Sequence, residues 1–108
     1  MAGRILQINF KFGVIRSDYE ELAASLAQAF AEVPCLVWKI WILNKAEREA
    51  GGIYCFDRAE SLQQFLASQL AADVRDHPAV SEFSGKSFEV MDAVTALTRG
   101  PVEEALAM

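Results

Sequence analysis

Residues 36–44 (LVWKIWILN) and residues 49–57 (EAGGIYCFD) lie close together near the middle of the chain. Both runs are dense in β-branched and aromatic residues, which are favoured in strands. The short segment between them is charged and contains Lys45, Glu47 and Arg48. Two such runs joined by a short polar connection predict a β-hairpin, and the sheet is therefore expected to form around it.

The first strand of this hairpin is apolar on both faces. Successive side chains of a strand point to opposite sides, and a strand that is apolar on both sides must be covered on both. Helices can cover one face of the sheet, so the other face needs a second cover. One face is predicted to carry Leu36, Trp38, Ile40 and Ile42, and the other Val37, Lys39, Trp41 and Leu43.

The segments before the hairpin predict a strand and a helix. Residues 4–12 alternate, so a strand should present Leu6, Ile8, Phe10 and Phe12 on one face. Ser17 and Glu20 have the spacing of a capping box, which predicts a helix that begins there and ends near residue 32.

The segments after the hairpin predict a helix and a final strand. Asp57 and Glu60 repeat the capping-box spacing, and an apolar stripe follows until His77 and Pro78 close the segment. Residues 79–86 are predicted to be a loop and residues 87–95 a strand. Arg99, Gly100 and Pro101 end this strand, and residues 102–108 have a helical composition.

This order of elements predicts an α+β fold of the ferredoxin-like βαββαβ type, with both helices on one face of a four-stranded antiparallel sheet. Residues 1–98 form the domain and residues 99–108 a C-terminal tail that packs on a dimer partner. Hydrophobic residues make up 53% of the 108 residues. Because so small a domain has a large surface for its volume, we expect a homodimer in which two sheets meet face to face.

Charge and composition argue against several classes of partner. Fifteen acidic and ten basic residues give a net charge of −5, which opposes binding to nucleic acid or to an anionic membrane. No apolar run of membrane-spanning or signal-peptide type occurs, so a cytoplasmic location is expected. Cys35 and Cys55 are expected to be reduced, buried thiols, and with one distant histidine they do not form a metal-binding pattern.

The hairpin also resembles a known family. Residues 36–41 (LVWKIW) and 49–54 (EAGGIY), with residues 6–10 (LQINF) and the strand end at Phe56 and Asp57, are similar to the YdhR-type monooxygenases. The resemblance covers roughly residues 4–76. It implies a dimeric α+β barrel of the antibiotic-biosynthesis monooxygenase superfamily. It also implies oxidation of a small phenolic or quinone-type aromatic compound by molecular oxygen, with no cofactor, metal or flavin.

Three residues are candidates for catalysis. Tyr54 carries a phenol that can hydrogen-bond a ligand oxygen or relay a proton, although it can equally be a core tyrosine. Lys39 either extends to solvent or a carboxylate such as Glu49 or Glu89, or is buried with a lowered pKa and stabilises a substrate anion. Asn9 can orient a substrate carbonyl or make a plain polar contact on the sheet.

Four aromatic residues are candidates for substrate binding: Trp38, Trp41, Phe10 and Phe56. The two tryptophans have odd spacing, so one should line the cavity on the helix side and the other should lie in the dimer contact. Packing alone is the alternative for both. His77 stands at a helix end, where the helix dipole suffices to explain it, so no haem-ligand role is expected.

Two alternatives to an oxygenase remain open. The first is a non-catalytic dimer that binds small aromatic metabolites, because a binding cavity and an oxygenase cavity need the same residue types. The second is RNA binding, since aromatic residues on the first and third strands of this topology can stack on bases. The acidic charge of the chain opposes RNA binding.

Overall fold

The computed structural model describes residues 3–101. Four strands form one antiparallel sheet in the order β2-β3-β1-β4, which confirms the predicted ferredoxin-like α+β fold. In chain order the elements are strand β1 (Arg4–Phe12), helix α1 (Arg16–Ala31), strands β2 (Leu36–Asn44) and β3 (Glu49–Phe56), helices α2 (Ala59–Leu66) and α3 (Gln69–Arg75), strand β4 (Val80–Glu89) and helix α4 (Asp92–Leu97).

The core lies between the sheet and the helices. Burial is nearly complete for Leu6 and Phe56 on the strands and for Leu62 on α2. Alternation in β1 directs every second side chain to this helix-side face, as the sequence predicts. The remaining large side chains of the core cluster are Ile8, Phe10, Phe12, Tyr19, Phe30, Tyr54 and Phe65.

The register of the hairpin decides which side chains of β2 face the helices. Lys39 is the Cα partner of Tyr54, and Trp41 is the partner of Gly52. Lys39 and Trp41 therefore share the helix-side face with Tyr54. The pairing shifts between Leu36 and Trp38, and this irregularity turns Leu36 towards the core. The prediction that Leu36 and Trp38 share a face is wrong for this reason.

Both predicted capping boxes are wrong in detail. Helix α1 begins at Arg16, and Ile15 precedes it without a side-chain cap. Asp57 Oδ1 accepts a hydrogen bond from Ser61 Oγ at 2.5 Å, which holds the pKa of Asp57 below its ordinary value. The predicted second helix is divided into α2 and α3, because Ser68 Oγ accepts a hydrogen bond from the backbone N–H of Ala71 at 3.3 Å and starts a new helix.

The predicted boundaries of the last strand are also wrong. Strand β4 covers Val80–Glu89, and helix α4 occupies much of the segment predicted to be extended. Glu82 has a positive φ of 51°, and the pairing with β1 shifts between Asn9 and Lys11. This bulge interrupts the alternation of residues 80–86, which is why this part of β4 was predicted to be a loop.

The face of the sheet away from the helices carries an apolar row. Phe88, Ile5, Cys55 and Trp38 are successive Cα partners across the four strands. Exposed side chains on this face include Ile40 and Phe88. We call this surface the open face. It has no cover from the helices α1, α2 and α3, whose buried side chains pack on the other side of the sheet.

The chain after β4 passes from one edge of the sheet to the other. Strands β4 and β2 are the two edges, and the indole Nε1 of Trp38 on β2 donates a hydrogen bond to the carbonyl of Pro101. Most of the tail predicted to pack on a dimer partner, residues 102–108, lies outside the described residues.

None of the helices in residues 3–101 combines the length and apolar content needed to cross a bilayer.

Cys35 and Cys55 are thiols that form no disulfide with each other, as predicted. Cys55 is buried in β3, but Cys35 is exposed, so the prediction that both are buried is wrong for Cys35. Cys35 precedes β2 with a positive φ of 63°, in the turn that joins α1 to the sheet.

Candidate functional site

An apolar cavity lies between the sheet and helix α1, with a volume of about 90 Å³. The segment from α3 to β4 forms part of its wall. Five aromatic side chains line it: Phe10, Tyr19, Phe30, Trp41 and Tyr54. Ionisable or polar groups are few, and among the lining residues they are Lys39, Asp73 and His77 in addition to the tyrosines. An apolar cavity with a few polar groups is the usual form of a small-molecule site.

Lys39 is held among aromatic rings. Its Nζ lies 3.3 Å from the centroid of the Phe30 ring, 3.5 Å from that of Trp41 and 4.7 Å from that of Tyr54. Ring faces attract an ammonium group, and this contact fixes the head of the side chain in the cavity wall. The predicted alternative of an ion pair is not observed for Lys39 in residues 3–101; Glu89 pairs with Arg4 instead.

Burial lowers the pKa of Lys39 to about 7. Water stabilises the ammonium form, and the apolar wall replaces that water without supplying a counter-ion. A lysine with this pKa is divided between its ammonium and amine forms near neutral pH. The amine form can accept a proton, and the ammonium form can bind an anionic oxygen.

Tyr54 is the second polar group in the wall. It is 3% exposed, and its ring lies 5.2 Å from Phe65 and 6.2 Å from Phe56 between centroids. Burial, with a smaller effect of Tyr19, raises the pKa of Tyr54 well above its ordinary value. Tyr54 therefore keeps its proton at physiological pH, and its hydroxyl can act as a donor but not as a base.

His77 was not predicted to reach this cavity. Helix α3 ends at Arg75, and the turn that leads back to β4 brings His77 into the wall. Its Nδ1 accepts a hydrogen bond from the backbone N–H of Ala79 at 3.0 Å, which leaves Nε2 as the ring nitrogen that can donate to a ligand. Asp73 lies nearby in the wall and accepts a hydrogen bond from Gln69 at 2.7 Å.

The structure brings some of the predicted site residues together. Lys39, Tyr54, Trp41 and Phe10 line the same cavity, whereas Phe56 lies in the core beside Tyr54 and is not in the wall. Among the residues that sequence reasoning missed, Tyr19 and Phe30 belong to a row of apolar residues that recur at steps of three and four along α1, with Leu22 and Leu26 between them, and this helical spacing was the available signal. No comparable local pattern pointed to His77.

Asn9 and Trp38 lie on the open face, on the opposite side of the sheet from Lys39. Asn9 is the Cα partner of Gly51 and its side chain accepts a hydrogen bond from Gln7 at 3.1 Å. Trp38 is the partner of Cys55. The odd spacing of the tryptophans thus places Trp41 at the cavity and Trp38 on the face that was expected to meet a second chain.

A second, more open cavity adjoins the first. Its volume is about 350 Å³, and it shares Tyr19, Ala23 and Trp41 with the first cavity. Trp41 is 38% exposed and stands between the two spaces.

Comparison with known proteins identifies a family. The sequence profile of the family described as "Putative mono-oxygenase ydhR" matches residues 5–101. No curated protein sequence matches the chain.

Several solved structures share the fold. SnoaB from Streptomyces nogalater, a cofactor-independent oxygenase, has a TM-score of 0.64 and 17% identity, covering 82% of this chain and 92% of its own. A dimeric ferredoxin-like protein of unknown function from Thermobifida fusca has a TM-score of 0.66 and 13% identity. The match covers 82% of this chain and 92% of the Thermobifida fusca chain. The heme-degrader MhuD from Mycobacterium tuberculosis, with two hemes bound, has a TM-score of 0.63 and 20% identity. The match covers 81% of this chain and 95% of the MhuD chain. At such identities the likeness establishes the fold alone, and these neighbours differ in their chemistry.

Proposed function

Because the chain belongs to the ydhR mono-oxygenase family, we propose that it is a cofactor-independent monooxygenase. Its substrate is a small phenolic or quinone-type aromatic compound, and its oxidant is molecular oxygen. The observation that carries this proposal is the amine of Lys39, which lines an apolar cavity and is held against two aromatic rings at 3.3 and 3.5 Å. The oxygenase SnoaB, which shares the fold, adds support for the class of reaction.

The proposed reaction begins with removal of an acidic proton from the substrate. The neutral amine of Lys39 takes this proton, and the ammonium group that results stabilises the substrate anion. The electron-rich anion transfers an electron to oxygen, and the substrate radical and superoxide combine into a peroxide anion on the substrate carbon. This anion takes the proton back from the Lys39 ammonium group and becomes a hydroperoxide. Loss of water then leaves a carbonyl, so an activated methylene group and O₂ give a ketone and water without an external reductant.

Two further groups would act as hydrogen-bond donors. The Tyr54 hydroxyl keeps its proton because burial raises its pKa, and Nε2 of His77 is the ring nitrogen left to donate, since Nδ1 accepts from Ala79. Both side chains line the cavity. In the proposed reaction they hold the oxygen atom on which negative charge develops, as preorganised donors do in other active sites.

The size of the cavity limits how the substrate binds. Its volume of about 90 Å³ is smaller than the roughly 150 Å³ cavity that takes up benzene in an engineered lysozyme. A substrate ring therefore needs displacement of Trp41 towards the adjoining cavity. We propose that the reactive ring lies beside Lys39 and that the rest of the molecule extends beneath α1.

Oxygen uptake with a panel of hydroquinones, flavonols and anthrones tests the proposal. We expect consumption above the rate without protein for at least one class, with one oxygen atom from O₂ found in the product. Saturable binding across the panel without any consumption above background would contradict it. That result would favour the alternative of a non-catalytic dimer that binds small aromatic molecules.

Replacing Tyr54 by Phe should lower turnover and leave the melting temperature nearly unchanged. The substitution removes one hydrogen-bond donor and keeps the ring that packs on Phe65. Loss of a single donor of this kind costs about 10²- to 10³-fold in turnover in well-studied sites. Initial rates and a thermal melt of the same sample check this, and an equal loss of both properties would mean that Tyr54 is structural only.

We also propose that the protein is a homodimer in which two open faces meet. The row Phe88, Ile5, Cys55 and Trp38 crosses the whole sheet, and Ile40 beside it is 49% exposed. Cys55 in this row is buried, but Phe88 is 44% exposed, and exposed apolar side chains that lie together mark contact surfaces. The dimeric protein from Thermobifida fusca has the same fold.

Light scattering should therefore give twice the mass of one 11.9 kDa chain at micromolar concentration. Ile40→Asp places a charge in the proposed contact and should reduce the mass to that of one chain. Ile15→Asp is the matched control, because Ile15 is 61% exposed but precedes α1 on the other side of the sheet. A single-chain mass for the unmodified protein would contradict the dimer.

A further inference from the structure

Gly52 provides the space that the Lys39 side chain occupies. A Cβ atom at Gly52 would lie 2.8 Å from Cε of Lys39 and 3.1 Å from the ring of Tyr54. Both distances are too short for an undisturbed contact. Since the stem of Lys39 is flexible, an alanine at this position would displace the amine from the rings and would not break the sheet.

Lys39 differs from the other lysines of the chain. Lys11 Nζ donates a hydrogen bond to the carbonyl of Glu47 at 2.9 Å and lies 3.8 Å from its carboxylate. Lys45 and Lys86 are exposed. Among these four lysines only Lys39 packs its amine against aromatic rings, in the wall of the cavity beneath α1, and burial lowers its pKa to about 7.

A neutral amine in an apolar cavity is a nucleophile towards carbonyl groups. We propose that Lys39 forms a reversible imine with a small aromatic aldehyde bound in the cavity, and that Gly52 positions the amine for this step. The amine nitrogen attacks the carbonyl carbon and forms a carbinolamine. The carbonyl oxygen then leaves as water together with the two hydrogens of the amine, and a carbon–nitrogen double bond remains, which is the imine.

Imine formation changes no oxidation state and consumes no oxygen. It uses the same amine as the proposed oxygenase, but it does not depend on that activity. The groups around Lys39 suit an aryl aldehyde once Trp41 has moved towards the adjoining cavity, because Phe30 and Tyr54 provide ring contacts and Nε2 of His77 can donate a hydrogen bond to the departing oxygen. The ligand class is therefore an aldehyde carried on a single aromatic ring.

Reductive trapping tests the imine. The full chain is incubated with benzaldehyde and cyanoborohydride near pH 7, and peptide mass mapping follows the benzyl adduct at each lysine and at the N-terminal amine. We expect Lys39 to be modified about tenfold or more faster than Lys45 and Lys86, because a larger fraction of it is neutral at this pH. An equal rate at the three lysines, or no adduct at Lys39, would overturn the proposal.

Two glycine variants test the role of Gly52. Gly52→Ala should abolish the preference for Lys39, whereas Gly85→Ala should retain it, since a Cβ atom at Gly85 would lie at an ordinary 3.7 Å from Ile8. Circular dichroism checks that both variants fold. A full preference for Lys39 in Gly52→Ala would overturn the positioning role of Gly52.

The two proposals for this cavity can fail separately. An adduct at Lys39 without oxygen uptake on the substrate panel would leave the imine in place and reject the oxygenase. Oxygen uptake without an adduct would reject the imine alone.

Discussion

Replacing Lys39 by Met is expected to lower the rate of oxygen uptake by about 10²- to 10⁴-fold, the range that a positioned general base contributes. The methionine side chain keeps the apolar stem and fills similar space, so the cavity wall should persist. What is lost is the amine that takes the proton from the substrate. Initial rates with the most active substrate of the panel, measured for both proteins, give the effect directly.

The pH dependence of the same two proteins separates catalysis from stability. Since the amine form is required, the rate of the unmodified protein should rise with pH through about 7, the pKa to which burial lowers Lys39. Its free energy of unfolding should also rise between about pH 7 and pH 9. In that window the unfolded chain, in which lysine has its ordinary pKa near 10.4, binds more protons than the folded chain.

The Lys39→Met variant should lack the part of this rise in stability that comes from Lys39. It should also be at least as stable as the unmodified protein below pH 7, where the folded state otherwise holds a buried ammonium group. A variant that retains most of the activity would show that Lys39 is not the base. A variant that loses activity only because it unfolds would show a lowered melting temperature at every pH.

Replacing Phe56 by Ala is expected to cost roughly 3 to 5 kcal/mol in the free energy of unfolding, the usual range for a large buried aromatic ring. Phe56 is fully buried, and its ring lies 5.7 Å from Phe65 and 6.2 Å from Tyr54 between centroids. The substitution would leave a cavity between β3 and α2. Urea denaturation at fixed protein concentration measures the change.

Ile15→Ala is the control for this comparison. Its side chain is 61% exposed, and surface substitutions of this kind usually change the free energy of unfolding by less than about 0.5 kcal/mol. A loss below about 1 kcal/mol for Phe56→Ala would be in the range of surface sites and would contradict the position of this ring in the core.

Local patterns were sufficient to predict most of the sheet. Alternation in β1 and the density of β-branched and aromatic residues in the hairpin gave strands with the observed boundaries. Strand β4 could not be predicted in this way. It lies at an edge, most of its side chains are exposed, and the bulge at Glu82 interrupts its alternation. An exposed edge strand carries little apolar signal because it buries little surface.

Only those parts of the candidate site that lie within a single strand could be predicted from the sequence. Spacing within β2 places Lys39 and Trp41 on one face and Trp38 on the other, and this follows from the sequence alone. The alternation of β1 also puts Asn9 opposite Phe10, away from the helices. His77 could not be found, because its place in the wall depends on how the turn after α3 returns to the sheet.

Strand β2 lies at the edge of the sheet, and seven of its nine residues are apolar. Within residues 3–101 its outer backbone groups have no neighbouring strand. An edge of this kind is a template for adding a strand from another chain, and lysine is the residue that most often discourages such addition. Lys39 is the only charged side chain of β2, but it points into the cavity and does not guard the edge. Aggregation of partly unfolded molecules should therefore begin at β2, which makes dilute protein the right condition for refolding.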